Sequence, residues 1–148
     1  MWLAKHHPQK INKLITLGTK FFWDQAVAAN EIKFLDPLKI EQKLPAFAEE
    51  LQKRHAPQDW KNVLDKTKTM LIALGANNPL KLDEYKEITI PCLLLLGDRD
   101  KMITVEETIA VYKQLPHAEF GILPATPHPI EQVDSRLIKF FIERFMAK

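Results

Sequence analysis

The sequence predicts an α/β protein in which a partial parallel sheet of about three strands is flanked by helices. Residues 90–96 (Ile-Pro-Cys-Leu-Leu-Leu-Leu) form a continuous apolar run, which is typical of a strand buried on both faces. From that run onward, strand and helix patterns alternate with short links, and this order predicts right-handed parallel βαβ units. Residues 24–85 show helical patterns only.

The first residues predict the end of a helix followed by a strand. Residues 2–7 read as the last turns of a helix that stops at Pro8, because proline lacks the backbone donor that a helix interior needs. Residues 11–19 (Ile-Asn-Lys-Leu-Ile-Thr-Leu-Gly-Thr) predict a short buried strand that ends at Gly18.

The middle of the chain predicts several short helices. Asp36, followed by proline, is a good helix start, and residues 45–55 form a short amphipathic helix. Asp59 caps the clearest helix, in which apolar residues recur at a period of about 3.6. We expect Gly75 to end that helix in the left-handed conformation.

After the apolar run, the chain predicts a helix, a strand and a last helix. Thr104 and Glu107 have the spacing of a capping box, and Pro116 ends the helix that they open. Residues 119–125 predict a weaker strand, and residues 134–145 predict the terminal helix. Its inward face is expected to hold Leu137, Phe140, Phe141 and Phe145.

Composition excludes several classes of protein. With 148 residues, 46% hydrophobic and 27% charged, the chain has the size and balance of one structural domain. A net charge of +2 does not indicate a nucleic-acid-binding protein, and no run of lysine and arginine resembles a lipid-binding patch. No segment is apolar enough to span a membrane. The single cysteine cannot form an internal disulfide and the start lacks a signal peptide, so we expect a cytoplasmic protein.

Nothing predicts a metal or a cofactor: no two histidines have the spacing of a helical metal site, and no glycine-rich phosphate loop occurs.

Polar residues follow the two predicted strands of the last third. Asp98, Arg99 and Asp100 come directly after the apolar run, and His128 follows the next strand. In an open parallel sheet these carboxyl ends share one edge, where ligands bind. A carboxylate there could accept a hydrogen bond from one nitrogen of the histidine and leave the other as a general base. A turn aspartate and a loop histidine are the structural alternatives.

Three motifs follow one another in this part of the chain. They are residues 90–100 (Ile-Pro-Cys-Leu-Leu-Leu-Leu-Gly-Asp-Arg-Asp), residues 115–124 (Leu-Pro-His-Ala-Glu-Phe-Gly-Ile-Leu-Pro), and His128 with Glu131 ahead of an amphipathic helix. In this order they resemble the carboxy-terminal half of an α/β-hydrolase. The resemblance implies that Asp100, which matches the aspartate of the G-x-x-D motif after the seventh strand, is the triad acid. It also implies that His128, which follows the eighth strand, is the general base.

The resemblance extends to the start of the chain. Residues 2–17 are similar to the end of the helix behind the nucleophile followed by the sixth strand. It therefore implies three parts within one structural domain. Residues 1–23 hold that helix end and strand, residues 24–85 form a helical cap segment, and residues 86–148 form the carboxy-terminal βαβα part of the core.

The family's nucleophile elbow, G-x-S-x-G, does not occur in this sequence. The one serine, Ser135, stands after His128 at the start of the last helix and has no flanking glycines, so we interpret it as a helix-start residue. Cys92 lies early in the apolar run and is expected to be an inert core thiol. Because some relatives carry the acid after the sixth strand, Asp24 is the alternative to Asp100.

The leading hypothesis is the carboxy-terminal portion of a serine-type hydrolase that acts on a small apolar ester-like substrate and is inactive alone. The resemblance places the strand near residues 13–19 inside the parent sheet, so without its neighbour that strand has an exposed apolar edge. The alternative is therefore a non-catalytic α/β module that pairs this edge with a partner or with a second copy, as a homodimer.

Overall fold

A computed structural model describes residues 1–148 and contains seven α-helices and three strands. The strands are β1 (Leu14–Leu17), β2 (Cys92–Gly97) and β3 (Ala118–Leu123). The helices are α1 (Trp2–His6), α2 (Gln25–Ile32), α3 (Pro37–Lys43), α4 (Pro45–His55), α5 (Trp60–Ala76), α6 (Val105–Gln114) and α7 (Ser135–Met146). Short 3₁₀ helices span Pro8–Lys10, Leu82–Glu87 and Ile130–Gln132. None of the helices combines the length and the apolar character that crossing a membrane requires.

The chain divides into two compact units, which we describe separately. The sheet unit comprises Met1–Phe22 and Leu80–Lys148, and the helical unit comprises Trp23–Pro79.

The sheet unit is built on a three-stranded parallel sheet in the order β1-β2-β3. Leu14 is paired with Cys92, and Cys92 is paired with Ala118, so the three strands start at nearly the same level. The central strand β2 is buried at every residue, as the apolar run predicts. The predicted α/β class with a three-stranded parallel sheet and flanking helices is confirmed.

The two faces of β2 are covered by different helices. Cys92 and Leu94 lie in a cluster with Val111 of α6, whereas Leu93 and Leu95 lie in a cluster with Phe145 of α7. This alternation follows from the two-residue period of a strand, and it places α6 and α7 on opposite faces of the sheet.

The inward face of α7 differs from the prediction at one position. Phe141 and Phe145, which are four residues apart, pack on the sheet, but Phe140 is 56% exposed. Adjacent helical positions point about 100° apart, so the stripe that contains Phe141 and Phe145 excludes Phe140.

Glu107 of α6 joins its helix to the segment after β1. Thr104 Oγ1 accepts a hydrogen bond from the Glu107 N–H, but the Glu107 carboxylate does not complete a capping box. It accepts instead from the backbone N–H groups of Phe21 and Phe22 at 2.7 and 2.9 Å and from Lys20 Nζ at 2.7 Å. The predicted box is therefore only half correct, because distant backbone donors compete successfully for the carboxylate.

The helical unit contains α2 to α5. Ile40, Leu51 and Trp60 form a buried cluster in this unit. Asp24 and Asp36 cap α2 and α3, and Asp59 caps α5, each by accepting from backbone N–H groups of the first turn.

Gly75 does not end α5 in the left-handed conformation as the sequence predicts, because the helix continues to Ala76. A Cβ on Gly75 would lie 2.6 Å from the Cβ of Ala28 and 2.8 Å from the carbonyl oxygen of Asp24. The glycine therefore permits α5 to approach α2 closely. It is a packing residue and not a helix terminator.

Candidate active site

The candidate site lies where β2 and β3 end. The two strands are parallel and paired as far as Gly97 and Leu123, so the segments that follow them emerge at the same edge of the sheet. Asp100 lies three residues beyond β2, and His128 lies five residues beyond β3. The topology alone therefore brings these two segments together.

The Asp100 carboxylate is held from both sides. Its Oδ1 accepts the backbone N–H groups of Met102 and Ile103 at 2.8 and 2.9 Å, so the turn that follows fixes the carboxylate plane. Its Oδ2 lies 2.8 Å from Nδ1 of His128. The Asp100 side chain is only 2% exposed.

These contacts keep Asp100 ionised. Burial by itself raises the pKa of the carboxyl, because it penalises the charged form. Three hydrogen bonds to the carboxylate together outweigh the effect of burial, and they come from the N–H of Ile103, the His128 ring and the N–H of Met102. The pKa of Asp100 is therefore lowered from its ordinary value. An ionised carboxylate only accepts hydrogen bonds, so the bond to His128 requires a proton on Nδ1.

His128 presents its other nitrogen for chemistry. The side chain is 33% exposed, and Nε2 makes no hydrogen bond within the chain. With Nδ1 protonated against Asp100, a neutral ring carries its lone pair on Nε2. The buried carboxylate thus sets the orientation and the tautomer of the ring, and Nε2 is chemically able to accept a proton.

A second set of contacts, which the sequence did not reveal, joins the two segments. The backbone N–H of Thr126 donates to Asp98 Oδ1 at 3.1 Å, and the N–H of Arg99 donates to the Thr126 carbonyl at 3.1 Å. Thr126 is 3% exposed. These bonds hold the segment that leads to His128 against the turn that leads to Asp100. We refer to Gly97, Asp98, Arg99 and Thr126 as the loop clamp.

Gly97 makes the loop clamp sterically feasible. A Cβ at this position would lie 2.0 Å from the carbonyl oxygen of Thr126 and 2.8 Å from its carbonyl carbon. The sequence signal for the loop clamp is therefore a glycine that ends a buried strand, followed directly by an aspartate.

Comparison with known proteins gives a fold. No protein-family model and no curated protein matches the sequence. Solved structures do match. NosK from Streptomyces actuosus is 17% identical with a TM-score of 0.71 over 98% of this chain and 62% of that chain. A thermophilic esterase from Thermogutta terrifontis is 21% identical with a TM-score of 0.63 over 97% of this chain and 58% of that one.

A third similar structure is described as an α/β hydrolase. MGS-M2, an α/β hydrolase enzyme from a Medee basin deep-sea metagenome library, is 13% identical, with a TM-score of 0.68 over 98% of this chain and 59% of that chain. The chain has part of the α/β-hydrolase fold. It spans about three fifths of the length of each of these solved structures.

Within this α/β-hydrolase fold, the structure brings Asp100 and His128 together, and the other candidate residues have different local roles. Asp24, the alternative acid, caps α2 by accepting the Val27 N–H at 2.7 Å. Ser135 is the exposed first residue of α7, which Asp134 caps. The Ser135 side chain has no hydrogen bond to His128.

Cys92 is a core residue of the same sheet. It is 1% exposed, and burial raises the pKa of its thiol to about 11. A thiol with that pKa is almost fully protonated at neutral pH and is a poor nucleophile. No group of three or more histidine, cysteine, aspartate or glutamate side chains is arranged to hold a metal ion.

Proposed function

We propose that this chain supplies the acid and the general base of a serine-type hydrolase. The observation that supports the proposal is the 2.8 Å contact between Asp100 Oδ2 and His128 Nδ1, made by a buried, ionised carboxylate that leaves Nε2 available. Two backbone N–H groups already fix the carboxylate, so the pair needs no rearrangement before it acts.

The reaction needs a nucleophile that is not among these 148 residues. A serine hydroxyl brought to Nε2 would lose its proton to that nitrogen as its oxygen attacks the acyl carbon. Asp100 would stay ionised and stabilise the imidazolium, and Nε2–H would then donate the proton to the leaving alkoxide. Because a similar solved structure is an esterase, a small apolar ester-like compound is the proposed substrate class.

The first test uses the purified 148-residue chain and an activated aryl ester. No burst of product equal to the protein concentration is expected, because no activated nucleophile lies beside His128. A stoichiometric burst would refute the need for an external serine.

The second test uses the coding sequence upstream of Met1. If the reading frame encodes G-x-S-x-G shortly before Trp2, the longer protein should hydrolyse the ester. His128→Gln and Asp100→Asn should each lower kcat by roughly 10³- to 10⁴-fold. Asp134→Asn is the matched control, since this carboxylate caps α7 and has no bond to the pair. Equal activity of Asp100→Asn and Asp134→Asn would exclude Asp100 as the acid.

A second candidate function is supported by the sheet edge. β1 is paired on one side only, and its four residues are half-buried. Unpaired strand edges template the addition of another strand. The chain would then be a non-catalytic module that binds a partner or forms a homodimer through residues 13–19.

Light scattering across a concentration series tests self-association. The N–H groups of Leu14 and Gly18 point toward β2. Because successive N–H groups of a strand point to opposite sides, the N–H groups of Ile15 and Leu17 point away from β2, toward the unpaired edge. Ile15→Pro removes one outward donor and should convert a dimer into a monomer with the same helix content. A wild-type chain that stays monomeric at high concentration would contradict the homodimer.

A further inference from the structure

Gly18 closes β1 directly beside the acid–histidine pair. Its N–H donates to the Leu95 carbonyl at 2.9 Å, which continues the pairing of β1 with β2 by one step. Its φ of +53° lies in the left-handed region that favours glycine. The strand therefore ends in a turn that a residue with a side chain would adopt only with strain.

The space beside Gly18 is already filled by the pair. A Cβ here would lie 3.2 Å from Asp100 Oδ2, 3.4 Å from His128 Nδ1 and 3.6 Å from His128 Cε1. Oδ2 and Nδ1 are the two atoms that form the 2.8 Å hydrogen bond. An added side chain would thus crowd both partners of one bond.

The two partners differ in their freedom to move. The Asp100 carboxylate is 2% exposed and is fixed by the N–H groups of Met102 and Ile103. The His128 ring is 33% exposed and makes no hydrogen bond besides the one to Asp100. Crowding from Gly18 would therefore displace the ring rather than the carboxylate, and the Nδ1 contact would lengthen.

We propose that Gly18 is a positioning residue for the Asp100–His128 pair, an inference that rests on the proposed function of that pair. Its bare backbone leaves the room that the imidazole needs to dock against the carboxylate with Nδ1 protonated. Gly18 thereby controls which ring nitrogen is left as the base.

Gly121 offers a matched control. This glycine lies within β3, and a Cβ there would meet Leu95 Cδ2 at 2.9 Å and Phe141 Cε1 at 3.1 Å. Gly121→Ala therefore introduces the same methyl group into the sheet unit, with contacts that are closer than those at Gly18. None of the three nearest atoms belongs to Asp100 or His128.

The experiment reads the tautomer of His128 by ¹⁵N nuclear magnetic resonance of the imidazole rings in the 148-residue chain. His128→Gln identifies the resonances of His128 among the five histidines. The wild type should show the Nδ1–H tautomer with its proton at low field. Gly18→Ala should lower the ratio of the Nδ1–H to the Nε2–H tautomer by about threefold or more, since a hydrogen bond to a charged group is lengthened and weakened.

Gly18→Asn separates crowding from backbone strain. Asparagine adopts the left-handed conformation more readily than alanine but also carries a side chain. It should lower the tautomer ratio at least as much as alanine does, whereas Gly121→Ala should leave the ratio at the wild-type value.

Three results would overturn the role of Gly18. Folded Gly18→Ala and Gly18→Asn proteins with the wild-type tautomer ratio would refute the positioning role while leaving the Asp100–His128 pair intact. Failure of both variants to fold, where Gly121→Ala folds, would make Gly18 a requirement of the fold instead. A wild type without the Nδ1–H tautomer would remove the pair itself, and the proposed function with it.

Discussion

Replacing Gly97 with alanine tests whether the loop clamp holds the site together. The new Cβ would lie 2.0 Å from the carbonyl oxygen of Thr126, although such contacts essentially never fall below 3.0 Å. The obstructing atoms belong to the backbone, so no side chain can rotate away. The segment that leads to His128 would have to move by about 1 Å.

The energetic cost follows from the bonds that such a movement breaks. Thr126 would lose its neutral bond with the Arg99 N–H, worth about 1 kcal/mol, and its bond to the Asp98 carboxylate, worth about 2 kcal/mol. Residual overpacking adds about 1 kcal/mol. The free energy of unfolding should therefore fall by about 4 kcal/mol, a large fraction of the stability of a typical domain.

Urea unfolding measures this loss, with Gly121→Ala as the control. Both substitutions reduce the conformational entropy of the unfolded chain equally, so their difference isolates the folded-state contacts. Gly121 faces the ends of Leu95 and Phe141 side chains, which can shift, so its loss should be only about 1 kcal/mol. With an m-value of about 2 kcal/mol/M, the two midpoints should differ by about 1.5 M. Equal midpoints would refute the loop clamp.

Three further predictions follow from the same contacts. Folding lowers the pKa of Asp100, so the ionised carboxylate contributes to the free energy of unfolding above its unfolded pKa, and this contribution is lost as the pH falls. In urea titrations, the stability advantage of the wild type over Asp100→Asn should therefore shrink below about pH 4. Glu107→Gln should lower the free energy of unfolding by about 2 kcal/mol and speed amide exchange at Phe21, while an unchanged exchange rate would contradict the anchoring role. Gly75→Ala should lower the melting temperature because the new Cβ would collide with Ala28, and this outweighs the advantage of about 1 kcal/mol that alanine has over glycine within a helix. A higher melting temperature would contradict the close packing of α5 on α2.

The sequence predicted best what depends on composition and period. The apolar run identified β2 because a strand covered on both faces must be apolar at every position, and residues 45–55 match the bounds of α4. The Asp100–His128 juxtaposition was also predictable, because parallel strands deliver their carboxyl ends to one edge. The catalytic roles of the two residues stay predictions.

What the sequence could not predict depends on distances between segments far apart in the chain. The role of Gly75 is set by its contact with Ala28, which is 47 positions earlier. The carboxylate of Glu107 accepts hydrogen bonds from the backbone N–H groups of Phe21 and Phe22. Local patterns suggested a helix end and a capping box because both glycine and glutamate serve those purposes most often. Tertiary contacts overrode these local preferences.

The open edge of β1 and the chemistry of the pair are physically connected through Gly18. β1 has one neighbouring strand, and such a strand opens at a lower free energy than a central one. Each opening would break the bond between the Gly18 N–H and the Leu95 carbonyl and move the Gly18 backbone, which lies beside the Asp100–His128 pair. A strand added to the outer side of β1 would suppress these openings. Binding of a partner at this edge is therefore compatible with the proposed acid–base function, because a partner that covers β1 would also keep Gly18 in place beside Asp100 and His128.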